Sequence, residues 1–159
     1  MSKRALYSLI PLVLLVGCPL PPREGEAKPY GAESHGTTFK CFEKRHCRVT
    51  VTVTACSATG ISTNPATLKV TRRLRDVPIV WTLRAPAGYT FAADGIHFKN
   101  KEMAIRQFVG PKAGPREFVW EDANTTPGRF PYNVRVRQDG RDCPVLDPII
   151  VNDDTDDGS

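Results

Sequence analysis

The sequence predicts an all-β chain, folded as a single β-sandwich of about seven or eight strands behind an N-terminal signal peptide and a disordered linker. Three observations carry this. Apolar residues recur at every second position in several short runs, which is the period of a strand. Turn-forming Gly, Pro, Asn and Asp separate those runs at spacings of roughly 8–15 residues, over about 115 residues in all. No apolar stripe of helical length with a 3.6-residue period is found.

The strongest strand lies at residues 48–55, where Val49, Val51, Val53 and Ala55 share one face and Thr50, Thr52 and Thr54 the other. Residues 60–65 read as a turn, 66–70 as a short strand, and 72–76 (Arg-Arg-Leu-Arg-Asp) as a charged connection. Residues 77–83 form a strand with Val77, Ile79, Trp81 and Leu83 on one face; Pro78 is tolerated near a strand start or on an edge. Residues 86–88 turn into a strand at 89–91, Asp94-Gly95 reads as a tight turn, and residues 96–98 follow. A strand is expected at 104–109, a loop at 110–115, and an alternating strand at 116–121 that pairs Phe118 with Trp120 on one face. Glu117 and Glu121 fall on its other, solvated face. After a turn at 124–128, residues 130–137 alternate with Phe130, Tyr132, Val134 and Val136 inward and Arg135 and Arg137 outward. Asp139-Gly140 is a hairpin-type turn, and residues 145–151 close the domain. Pro148 holds Asp147 extended, and the Asp147 side chain is read as a turn cap.

The ends have a different composition. Residues 19–38 hold four prolines and three glycines, with Leu20 and Tyr30 as the only large apolar residues, so they cannot pack a core. The last residues, 152–159, carry four aspartates and read as an acidic disordered tail. The folded domain is therefore expected at 39–151. From Pro29 to Val151 there are 18 Lys plus Arg against 11 Asp plus Glu, a net charge of about +7 on the body. Arg72, Arg73, Arg75, Arg135 and Arg137 are the candidate patch for an anionic ligand.

The first residues carry the most specific signal. Lys3 and Arg4 precede an apolar run at 5–16, and Leu15-Val16-Gly17-Cys18 is followed by Pro19-Leu20-Pro21-Pro22. A basic start, a short apolar run and a small residue before the cut form a secretory signal. The run is too short for a membrane span, which takes about 20 apolar residues. The cysteine directly behind the small residue resembles the lipobox of bacterial lipoprotein precursors. That resemblance implies cleavage after residue 17, leaving 142 residues, and di- or triacylation of Cys18, enough for stable anchoring. Pro19 in place of an aspartate points to the outer membrane rather than the inner. The domain is Ig-like or cupredoxin-like in size and strand count. Its pattern from Trp81 through Phe118-x-Trp120 to Tyr132-x-Val134-x-Val136 resembles small exported β-sandwich domains of Gram-negative bacteria, a resemblance that implies no particular activity.

Four cysteines remain: Cys41, Cys47, Cys56 and Cys143. An even number of thiols in an exported chain reads as two disulfides, with three connectivities open. Cys41–Cys47 as a local loop, with Cys56–Cys143 tying an early strand to the end of the domain, is the favoured pair.

The chemical motifs of enzymes are missing. There is no Gly-x-Ser-x-Gly, phosphate-binding loop, dinucleotide fingerprint or HExxH. The carboxylate pairs Glu117/Glu121 and Asp139/Asp142 read as solvated. A blue-copper site needs two His, a Cys and an axial ligand. His46, His97 and Met103 are the only ligand candidates, and the sequence after Cys143 holds neither His nor Met. No cofactor is expected. Nucleic acid is not an expected partner, because the aromatics share faces with Val and Ile. The expectation is a non-catalytic, lipid-anchored envelope protein that binds a protein or an anionic polymer; the alternative is a periplasmic Cu or Zn module.

Overall fold

The computed structural model describes residues 37–44 and 47–153. The signal peptide, Cys18, the linker up to residue 36, His46 and the tail from residue 154 lie outside the described residues. Alternation of apolar and polar residues builds two sheets whose apolar faces meet. The first contains β1 (Thr38–Cys41), β4 (Thr67–Thr71), β11 (Ile149–Asp153), β9 (Gly128–Gln138) and β10 (Arg141–Asp142) in that order, with β6 (Tyr89–Phe98) also paired to β9. The second runs β3 (Ile61–Asn64), β2 (Arg48–Val53), β5 (Val77–Arg84), β8 (Glu117–Asp122) and β7 (Phe108–Ala113). Both sheets are mixed: β4 runs parallel to β1 and β11, and β2 runs parallel to β5.

The predicted inward faces meet in the core. Val49, Val51 and Val53 of β2, Val77, Ile79, Trp81 and Leu83 of β5, and Phe130, Tyr132, Val134 and Val136 of β9 are all buried. Trp81 of one sheet meets Tyr132 of the other edge-on, with ring centroids 5.4 Å apart. Phe91 of β6 meets Phe118 of β8 in the same way at 5.7 Å. Pro78 lies on β5 two residues ahead of Val80, where pairing with β2 begins, so its missing N–H faces no strand on that side. Asp139 and Gly140 connect β9 to β10 with φ of 48° and 82°, the two left-handed positions of a type I′ hairpin. Both favoured disulfides are present, Cys41–Cys47 and Cys56–Cys143.

Five expectations are corrected. Residues 61–64 are strand β3 rather than a turn, an edge strand paired with β2 from Val53↔Ile61 to Thr50↔Asn64. Asp94-Gly95 is not a turn between strands: β6 continues through it, with four residues (92–95) bulging where β9 supplies only Arg135. Residues 104–109 are not one strand. Helix α1 (Lys101–Ile105) comes first, started by the Asn100 side chain accepting from the Met103 N–H at 3.1 Å, and β7 follows. β7 then runs through Gly110-Pro111, read as loop, because its register shifts between Val109 and Lys112 on an edge strand where proline costs no ladder bond. Finally, Asn152 and Asp153 belong to β11 and not to the tail; Asn152 is buried.

Gly60 closes the β2–β3 hairpin, where Thr54 N–H donates to its carbonyl at 2.8 Å. A Cβ at Gly60 would sit 2.4 Å from the backbone oxygen of Ala55, which cannot rotate away. Gly60→Ala is expected to cost about 2 kcal/mol through forced backbone displacement. A urea midpoint unchanged from the native chain would show that the hairpin shifts freely.

Candidate functional site

The five arginines of the candidate anionic patch do not come together. Arg72, Arg73 and Arg75 lie on the connection between β4 and β5. Thr71, at the end of β4, is level with Asp153, and the adjacent Asn152 is level with Gly128 at the start of β9. Arg135 and Arg137 are seven and nine residues further along β9, so about 24–30 Å away at the rise of a strand. They are also matched to carboxylates. Arg135 bonds Asp94 in the β6 bulge and lies 3.6 Å from Asp142, and Arg137 Nε donates to Asp142 Oδ1 at 2.7 Å. The hydrogen bond from Arg137 holds the Asp142 carboxyl below its ordinary range, and the same bond raises the Arg137 guanidinium. Arg75 Nη1 donates to the Asn124 carbonyl and so ties down the β8–β9 loop. Asp147 pairs with Lys99 at 2.9 Å rather than capping a turn. Glu117 and Glu121 are exposed, as expected.

His97 and Met103 also serve other ends. His97 Nδ1 lies 3.2 Å from the Asp94 carbonyl, which can only accept, so Nδ1 carries the proton. In the neutral ring Nε2 is then the acceptor, and it takes a hydrogen bond from Asn133 at 2.9 Å. A metal at Nε2 would have to displace Asn133. Met103 projects from α1 and is exposed. Among the described residues, no three His, Cys, Asp or Glu side chains group closely enough to hold a metal.

Two features escaped the sequence reading. The first is a buried polar cluster where the ends of the two sheets meet. Asp122, fully buried at the end of β8, accepts at Oδ1 from the Asn124 backbone N–H at 2.8 Å, from Gln107 at 3.0 Å and from Asn152 of the opposite sheet at 3.2 Å. Asn124, at φ 48°, donates its amide to the Thr71 and Leu74 carbonyls, both at 2.7 Å. Burial raises the Asp122 carboxyl above the ordinary range, against the lowering by these three donors. With no exposed surface, Asp122 is closed to any substrate; its work is to join β8, β11 and two connections. Counting on by two from Phe118 and Trp120 would have placed Asp122 inward.

The second feature is a cleft of about 320 Å³ between the edges of the two sheets, closed at one side by α1. Phe98, Ala104, Ile105, Phe108 and Trp120 line it, with His97 and Lys101 as its polar side chains. Phe98 stacks on Phe108 at 3.8 Å and meets Trp120 edge-on at 5.4 Å, so the aromatic floor is rigid. Its sequence signal is faint, because α1 spans only five residues. No helix among the described residues is long and apolar enough to cross a membrane, and the two disulfides fit an oxidising compartment. No protein-family model matches the chain, and no curated protein matches it in sequence.

Proposed function

We propose that this chain is a non-catalytic lipoprotein of the bacterial envelope, held by acyl chains on Cys18, facing the periplasm from the outer membrane and acting as a binding or structural module. The single observation that carries the reading is Leu15-Val16-Gly17-Cys18 behind a short basic and apolar leader. The disulfide-tied sandwich supports it, since both bridges fit an oxidising compartment. The 19 residues between Cys18 and Thr38 reach about 25 Å as a coil, which holds the domain clear of the bilayer. An anionic envelope polymer or an acidic protein face would meet Arg72, Arg73 and Arg75 on the connection between β4 and β5, apart in the fold from Arg135 and Arg137.

Intact mass spectrometry of the product purified in mild detergent from bacterial membranes tests this. The expected mass starts at Cys18, carries lipid, lacks four hydrogens for the two disulfides and contains no metal. An unlipidated mass would leave a soluble periplasmic protein and overturn the anchor. Retained copper or zinc would favour the metal-module reading instead.

A further inference from the structure

We infer that the cleft between the β6 and β7 edges is a binding site for a small anionic amphiphile, one apolar chain ending in a single negative head group. The inference stands apart from the anchor and the arginines. It rests on how little hydrogen bonding the cleft can offer. Of its polar side chains, His97 already uses both ring nitrogens, on the Asp94 carbonyl and Asn133. The Trp120 indole N–H is committed to the Ile96 carbonyl at 3.1 Å, so Trp120 presents only ring surface. Lys101 is the remaining donor; it is exposed, and among the described residues no carboxylate pairs with it. No acidic side chain lines the cleft.

A guest with several polar groups would bury those that find no side-chain partner, at about 1–3 kcal/mol each. A guest with one anionic end and an apolar remainder leaves none unmatched: the head meets Lys101, and the chain lies along Ile105, Phe108 and Trp120. Ile105 is 81% exposed and lies at the mouth of the cleft, where its side chain is available to a guest. The volume holds about ten water-sized groups, the size of a medium-length acyl chain.

The described residues contain the whole core and both disulfides, so a chain starting at Pro19 retains the folded unit and leaves out the apolar leader. That chain is titrated with decanoate below its micelle concentration, with decanol, and with vesicles of anionic phospholipid, by calorimetry and tryptophan fluorescence. Saturable one-site binding of decanoate is expected, and binding of the vesicles without binding of decanoate would make the cleft a membrane-docking surface and overturn the proposal. Lys101→Met is expected to weaken that binding about tenfold and leave decanol unchanged. Ile105→Asp, at an exposed position that the fold does not need, is expected to abolish binding while thermal unfolding stays unchanged. Failure of decanoate to bind, or binding indifferent to Lys101→Met, overturns the proposal. So does saturable binding of an apolar peptide in place of decanoate.

Discussion

Replacing Cys56 and Cys143 together by serine is expected to remove about 4–5 kcal/mol of stability, the largest loss from any covalent change in this fold. The bridge closes a loop of 87 residues, and loop-closure entropy grows with the logarithm of that length. Cys41–Cys47 closes a loop with a separation of only 6, for which the same relation predicts about 2 kcal/mol. The ordering of the two losses is therefore the sharper test. Cys56 sits in the β2–β3 hairpin of one sheet, while Cys143 follows β10 of the other and donates its N–H to the Val136 carbonyl at 2.9 Å. The long bridge thus ties the β2–β3 hairpin of one sheet to the end of the other. For a domain of this size the loss corresponds to a fall of about 15–20 °C in Tm. Thermal and guanidinium unfolding of Cys56→Ser/Cys143→Ser beside Cys41→Ser/Cys47→Ser measures both. Equal losses in the two variants would remove loop entropy as the cause.

How far the sequence disclosed this molecule depended on whether a local pattern and a tertiary one agreed. Strands β2, β5 and β9 were legible because each alternates for at least three cycles, and the predicted inward side chains are buried except Ala55, which is exposed beyond the end of β2 at Val53. The Asp139-Gly140 turn was legible because a two-residue hairpin demands left-handed backbone that these residues accept. The errors fall where local signals outweighed pairing. Asp94-Gly95 has the composition of a turn, yet Arg135 across the strand pair bonds Asp94 and the ladder resumes at Ile96. Gly110-Pro111 has the composition of a loop, yet an edge strand absorbs it at a register shift. Asn152 looked like tail because four aspartates follow closely, while its burial depends on Asp122, thirty residues away in sequence. The cleft was out of reach for a related reason. It is made by the edges of two sheets and a single helical turn, and sequence periodicity describes faces, not edges.

The Asp122 cluster shows what such distant pairings contribute, and two substitutions separate its hydrogen bonds from its charge. Asp122→Ala leaves the Gln107 amide, the Asn124 N–H and the Asn152 amide buried without an acceptor. Its expected cost is about 3–5 kcal/mol, since each abandoned buried donor carries a penalty of about 1–3 kcal/mol and the cluster relaxes in part. Asp122→Asn keeps an oxygen for those three donors and removes the titrating proton. Its effect follows from the raised carboxyl pKa of the folded state. A carboxyl that holds its proton more tightly when folded gives stability that is complete below the ordinary aspartate range. That stability is lost as pH rises through the folded value, because the unfolded chain then ionises more readily. The native chain should therefore lose stability relative to Asp122→Asn as pH rises from the ordinary aspartate range through the raised value of the folded state. The second oxygen of Asp122 has no partner, so the variant breaks no bond at that position but buries an amide NH2 without an acceptor, a cost that does not change with pH. Urea unfolding of all three chains at pH 4, 5.5 and 7 decides the matter. If Asp122→Asn is as damaging as Asp122→Ala at every pH, the cluster needs a charged carboxylate, and burial does not dominate its ionisation. If the asparagine variant instead gains on the native chain as pH rises, the junction between the two sheets is held by the geometry of acceptance, and the aspartate's charge is a cost the fold carries.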